Sequence, residues 1–205
     1  MNCRVKICGI TNLDDALMAC QHGADALGFV FYEKSPRYIS PEKANEIVQA
    51  LPPFVVPVAL FVNATNEEVY SVVDGGSRWM IQFHGDESES QCISFQRPYM
   101  KALRVKESDN ISALVDEYPS ASAILLDAYK KGVPGGTGEV FDWALIPEGL
   151  SKPIVLAGGL DATNVKSAVK QVSPYAVDVS GGVELSKGLK SESKVKEFIS
   201  GAKRG

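Results

Sequence analysis

The apolar positions of this chain fall in short runs, separated by stretches of helical period. Arg4-Val5-Lys6-Ile7-Cys8 reads as a strand, Gly9-Ile10-Thr11 as a turn, and residues 13–20 as a helix. Thr11 or Asn12 caps that helix and Gly23 stops it. The alternation then repeats. Further strands are predicted over residues 25–31, 54–62, 79–83, 100–105, 123–127, 154–156 and 176–180. Helices are predicted over 41–51, opened by Pro41, over 66–73, after Asp86, over 111–118, over 164–169, and over 193–203 at the end. Alternation of this kind implies parallel strands joined by crossover helices. Eight such units predict an α/β fold, a single-domain (β/α)8 TIM barrel spanning residues 1–205, with an open doubly wound sheet as the alternative. The helices after strands five and six are the most weakly marked.

Two strands end in paired glycines. Ile154-Val155-Leu156 is followed by Gly158-Gly159, and Ala176-Val177-Asp178-Val179-Ser180 by Gly181-Gly182. Asp161 stands where the cap of the next helix belongs. Glycines let backbone N–H groups approach an anion closely, and a helix start favours negative charge. In an eight-stranded barrel the loops after strands seven and eight commonly grip a phosphate. Gly158, Gly159, Gly181 and Gly182 are therefore the predicted phosphate-binding residues.

Composition narrows the function further. The 205 residues are 45% hydrophobic and 22% charged, with a net charge of −4. No basic block is present, which argues against nucleic acid as a partner. The longest apolar runs are too short to span a bilayer, and residues 54–62 contain Pro57. The opening residues lack an apolar signal segment, so a cytoplasmic location and no membrane partner are expected. Cysteines 3, 8, 20 and 92 form no C-x-x-C pair and no zinc spacing. They are expected to be free thiols, with no metal bound.

Residues i and i+2 of a strand share a face. Lys6 and Cys8 pair in this way at the end of strand one, Gln82 and His84 at the end of strand four, and Asp178 and Ser180 at the end of strand eight, while Asp127 ends strand six. Barrel enzymes keep their chemistry at these C-terminal ends. Cys8 and Asp127 are the predicted catalytic pair. A thiol works as a base only when ionised, and Lys6, roughly 7 Å back along the strand, is expected to lower its pKa. Lys6, Gln82, His84, Asp178 and Ser180 are expected to line the substrate site. Arg37, in the loop after strand two, suits a carboxylate. His84 reads as a hydrogen-bond donor or a structural residue rather than a metal ligand. Residues 132–138, Gly-Val-Pro-Gly-Gly-Thr-Gly, read as a mobile loop over the site, since no Gly-Lys-Ser/Thr ends them.

Together these stretches resemble the N-(5′-phosphoribosyl)anthranilate isomerase family. The resemblance runs along almost the whole chain. Its carriers include Val5-Lys6-Ile7-Cys8-Gly9-Ile10-Thr11, Ser35-Pro36-Arg37-Tyr38, Gln82-Phe83-His84-Gly85, Leu125-Leu126-Asp127, Leu156-Ala157-Gly158-Gly159 and Asp178-Val179-Ser180. It implies the Amadori rearrangement of a phosphosugar-anthranilate, a step of tryptophan biosynthesis, by general acid/base catalysis without a cofactor. Cys8 would be the base, Asp127 the acid, and Arg37 the partner of the anthranilate carboxylate. The family usually reads Asp-Val-Ser-Ser-Gly-Val-Glu where this chain has Gly181 for the second serine. The family's Pro-Gly-x-Lys-Asp is here Lys187-Gly188-Leu189-Lys190-Ser191. The related histidine-pathway isomerase fits less well, because its strand-one base is an aspartate. A non-catalytic phosphosugar-binding barrel is the reading from another class. A monomer or weak homodimer is expected.

Overall fold

Each predicted strand forms, because each short apolar run is closed by a turn, and strands one to five and seven are each followed by a helix on the outside of the barrel. The computed structural model describes residues 3–74, 78–106, 108–127 and 142–205. In chain order come β1 (Arg4–Cys8), α1 (Leu13–Gln21), β2 (Ala26–Val30), α2 (Pro41–Gln49), β3 (Val56–Phe61), α3 (Asn66–Val73), β4 (Met80–Phe83) and α4 (Glu89–Ile93). There follow β5 (Tyr99–Arg104), α5 (Ile111–Asp116), β6 (Ala123–Asp127), β7 (Ile154–Ala157), α6 (Val165–Val172) and β8 (Ala176–Val179). Strands β1 to β8 pair in parallel with their neighbours, and β8 returns to β1 to close the barrel, which excludes the open sheet. Between β6 and β7 the described residues carry only a 3₁₀ turn, Trp143–Leu145. Residues 132–138 lie outside the described residues.

The caps explain where the helices start. The Asn12 side chain accepts from the Asp15 N–H at 2.8 Å, and Ser40 caps α2 ahead of Pro41. Thr65 with Glu68, and Ser88 with Gln91, form reciprocal capping boxes on α3 and α4. Asp161 was expected to cap α6 directly. Its carboxylate instead accepts the N–H groups of Thr163 and Asn164, closing the turn ahead of the helix, and Asn164 takes the cap position. Strand β3 starts two residues later than the apolar run predicts. Pro52 and Pro53 set a turn in which Val55 donates to the Pro52 carbonyl, leaving Phe54 in solvent.

Two apolar layers result. The larger packs outward-facing strand residues such as Ile7, Leu27, Phe29, Ile81 and Leu126 against the helices. The smaller, with Val58, Met100, Ala102, Leu125 and Val155, fills the barrel interior. Burying one such Leu or Ile stabilises the fold by roughly 1.5–3 kcal/mol. After β8 comes an element the sequence did not announce. A 3₁₀ turn at Gly181–Val183 leads into a hairpin of β9 (Glu184–Ser186) and β10 (Leu189–Lys190), and then α7 (Glu192–Lys203) packs against α1, α6 and β1. This hairpin sits over the end of β1.

Candidate active site

Interior positions near the C-terminal end of the barrel change from aliphatic to polar. On β1, Lys6 and Cys8 point inward beside β8. Lys6 Nζ donates to Asp178 Oδ1 at 2.8 Å, and both side chains are buried. Removing either partner would leave a charge stranded in the barrel, at a cost of roughly 3–5 kcal/mol. Cys8 is 5% exposed and faces Gly28 across the β1–β2 pairing. That glycine is required: a Cβ there would lie 2.7 Å from Cys8 Sγ and 3.1 Å from Lys6 Nζ.

The expected acidification of the thiol is not the net outcome. Burial pushes the Cys8 pKa up, Lys6 and Lys190 pull it down, and the carboxylate of Asp178 works against them. Burial dominates because Lys6 is already paired with Asp178. In Lys6 itself burial works downward, but Asp178 and Cys8 outweigh it and raise the pKa. In the free protein, iodoacetamide should therefore label Cys8 slowly near neutral pH and faster as the pH becomes alkaline. Peptide mapping distinguishes it from Cys3 and Cys92, whose thiols burial raises to about 11 and about 12. Rapid labelling of Cys8 at neutral pH would contradict this order. The raised value also fixes a sign for stability. The neutral buried thiol contributes fully below its unfolded pKa, and that contribution is lost as pH climbs through the folded one.

On the other side, Asp127 ends β6 and His84 follows β4. His84 Nε2 stands 3.4 Å from Asp127 Oδ2. Gln82, fully buried, places its amide nitrogen 2.9 Å from His84 Nδ1. An amide NH2 only donates, so Nδ1 accepts and the neutral ring carries its proton on Nε2, toward Asp127. The opposite amide orientation would bury an unpaired NH2, which is rarer than the orphan oxygen left here. Gln82 thus reaches the site through His84. The loop that carries His84 is braced from outside the barrel. Glu87 accepts from the N–H groups of Asn63 and Gly85 and pairs with the buried Lys101 at 3.0 Å.

Arg37 lies over Gly9, whose φ of +78° and tight contact with the Arg37 side chain exclude any larger residue there. Its guanidinium does not stand free. Nε and Nη2 donate to the two oxygens of Glu184 at 2.8 and 2.7 Å, and these bonds hold its pKa above the ordinary arginine value. Glu184 in turn accepts from Lys190 Nζ at 2.8 Å, and Lys190 donates to the carbonyl of Cys8 at 2.6 Å. The hairpin therefore reaches back onto the C-terminal end of β1. Glu184 and Lys190 were missed at the sequence level. Glu184 closes the Asp-Val-Ser-Gly-Gly-Val-Glu stretch, which was a usable signal. Lys190 matches the lysine of the family's Pro-Gly-x-Lys-Asp, a signal masked by the departures at Lys187 and Ser191 on either side of it.

The predicted phosphate glycines come together. Gly158 and Gly159 have φ of 88° and 65°, a conformation glycine adopts without strain. Asn164 ties this loop down, donating to the Gly159 carbonyl at 2.9 Å while its side-chain oxygen accepts the Asp161 N–H. The β8 loop packs directly against it, since a Cβ on Gly182 would fall 2.0 Å from the Leu160 carbonyl oxygen. Gly181 is different, because a Cβ there meets only Arg37 Nη2, at 3.4 Å. Gly182→Ala should therefore raise KM roughly tenfold or more, the weight of about one hydrogen bond to a charged group. Gly181→Ser, the family's usual residue, should leave KM within about threefold. Steady-state kinetics on both variants checks the contrast, and an equal rise in both would show that the loop contact is not what matters. Ser180 Oγ is buried beside this loop without a partner among the described residues. Among the described residues no three His, Cys, Asp or Glu side chains converge as a metal site.

Known proteins share this fold and much of this sequence. Residues 5–201 match the family model described as N-(5′phosphoribosyl)anthranilate (PRA) isomerase. The chain is 76% identical to the N-(5′-phosphoribosyl)anthranilate isomerase of Marinomonas sp. (strain MWYL1) over 100% of both chains. It is 59% identical to that of Pseudomonas fluorescens (strain Pf0-1) over 96% of each. Among solved structures, the phosphoribosyl anthranilate isomerase of Thermotoga maritima superposes with a TM-score of 0.88 at 45% identity, covering 99% of this chain and 100% of that one. A second, in complex with reduced 1-(o-carboxyphenylamino)-1-deoxyribulose 5-phosphate, gives 0.84 at 43% identity, with the same coverage.

Proposed function

The chain belongs to the N-(5′-phosphoribosyl)anthranilate isomerase family, and from its site we propose how it converts N-(5-phospho-β-D-ribosyl)anthranilate into 1-(2-carboxyphenylamino)-1-deoxy-D-ribulose 5-phosphate. Cys8 is the general base and Asp127 the general acid. The observation that carries this reading is the placement of the two groups at the C-terminal ends of β1 and β6, with the glycine loops of β7 and β8 beside them. Asp127 gives its proton to the ring oxygen as the C1′–O bond breaks, and the nitrogen lone pair forms the iminium. The iminium acidifies C2′–H, and its positive charge favours the thiolate that burial disfavours in the free protein. Cys8 takes the C2′ proton, and the electrons of that bond make the C1′–C2′ double bond of the enolamine. Tautomerisation adds a proton at C1′ and removes one from the 2′ oxygen. One turnover leaves Cys8 protonated and Asp127 ionised, so a single proton passes from thiol to carboxylate through solvent to reset the pair. Electrons move only within the substrate, so the chemistry needs no redox cofactor.

The remaining roles follow from position. Arg37 faces the anthranilate carboxylate, and the backbone at Gly158, Gly159, Gly181 and Gly182 holds the phosphate. His84, set by Gln82, orients Asp127, while the Lys6–Asp178 pair and Ser180 line the wall next to Cys8. We place the protein in the cytoplasm as a monomer or weak homodimer, which light scattering across a concentration series tests. Among the described residues no helix is long and apolar enough to cross a membrane. The deciding experiment is turnover of phosphoribosylanthranilate, followed by loss of its anthranilate-type fluorescence. Steady loss at micromolar enzyme is expected. A folded protein that binds the reduced product analogue yet turns over nothing would instead be a binding barrel.

A further inference from the structure

The geometry points to Lys190 as a specificity-determining positioning residue: it offsets the charge of Glu184, so that Arg37 keeps a net positive charge for the substrate carboxylate. The inference rests on the reading that Arg37 faces that carboxylate. Glu184 takes the Nε and Nη2 edge of Arg37 in a bidentate pair, with its own side chain 6% exposed. A bidentate carboxylate fixes the guanidinium plane, but it also cancels its charge. An Arg–Glu pair alone is neutral and has little attraction for a second carboxylate. Lys190 changes the count. Its ammonium is fully buried and touches Glu184 Oε1 at 2.8 Å, so one positive, one negative and one positive charge leave the cluster at plus one.

Three acceptors surround Lys190 Nζ: Glu184 Oε1, the Cys8 carbonyl at 2.6 Å and the Ser180 carbonyl at 3.4 Å. Burial pulls the Lys190 pKa below the ordinary lysine value and Glu184 pulls it back up. Only the protonated amine offers a donor to each of the three acceptors, so the geometry favours the charged form. Glu184 Oε1 also accepts the Gly188 N–H at 3.2 Å, which closes the hairpin around the cluster. With its amine enclosed, Lys190 acts through Glu184 and through the two carbonyls rather than on substrate directly. Arg37, 25% exposed, is the member of the cluster that faces solvent.

The test compares inhibition constants for two unreactive ligands: the reduced carboxyphenylamino product analogue and the same molecule with an unsubstituted phenyl ring. Their ratio isolates the carboxylate, because phosphate and sugar are common to both. The wild type should favour the carboxylate ligand strongly. A wild-type ratio near one would show that Arg37 does not face the carboxylate, and the reading beneath the inference would fail. With a normal wild-type ratio, Lys190→Met should lower it about tenfold or more, as expected when the cluster around Arg37 falls from plus one to neutral. Lys190→Met/Glu184→Gln removes both charges and should restore the ratio to within about threefold of wild type. A merely structural lysine predicts the reverse, with the double variant worse than the single and both ligands weakened equally. That result, or an unchanged ratio in Lys190→Met, overturns the inference. Should Lys190→Met not fold, Glu184→Gln alone decides: the ratio must hold or rise, and its collapse overturns the inference.

Discussion

Cys8→Ser is expected to lower kcat by about 10²–10⁴, the range set by removing a positioned base. A hydroxyl is far less acidic than a thiol, and the burial that raises the Cys8 pKa acts on it equally. The substitution should leave the fold nearly unchanged. Oxygen is smaller than sulfur, and the neighbouring Gly28 position gains room rather than a clash. Tm should therefore move by only a few degrees, for a loss of at most about 1 kcal/mol. The pH profile gives an independent check. In the wild type, kcat/KM should climb on the alkaline side as the thiol ionises, and that limb should vanish in the variant. Near-normal turnover by Cys8→Ser would remove the thiol from the mechanism.

Asp127→Asn is the second large effect, with kcat again expected to fall by about 10²–10⁴ while ligand affinity changes little. The amide keeps the shape of the carboxyl and still meets His84, but it has no proton to give to the ring oxygen. The two variants should be separable by the step they block. With Asp127→Asn the ring stays closed and no intermediate accumulates. With Cys8→Ser the ring opens, and C2′–H exchange with solvent is lost. Two further variants probe the path from Gln82 to His84 to Asp127. Gln82→Leu releases the tautomer, and His84→Ala removes the donor. Each should reduce kcat more than KM, since neither group is assigned direct contact with the reacting atoms.

Much of this protein was readable along the chain. The strands were visible because each is a short apolar run of the right length, and eight alternations leave few topologies other than a closed barrel. Lys6, Cys8, Gln82, His84, Asp127 and Asp178 stood out because charge or polarity at an interior strand position is costly without a purpose. The glycine pairs stood out because backbone chemistry needs no side-chain partner to be recognised. Boundaries were less legible. The start of β3 depended on the Pro52–Pro53 turn, and the cap of α6 on a turn that Asp161 closes three residues early.

What the sequence by itself determined was the inventory and its placement: which strand ends and loops carry a carboxylate, a thiol, an arginine and paired glycines. Tertiary structure alone decided how those groups are paired and charged. Arg37 meets Glu184 across 147 residues of chain, and Lys6 meets Asp178 across 172. No periodicity encodes such partners, because they depend on barrel closure and on a hairpin that folds back over β1. The direction of the Cys8 pKa is the same kind of fact. A lysine two residues away is visible in sequence. That Asp178 already pairs with that lysine, and that burial then prevails, follows only once β8 is laid beside β1.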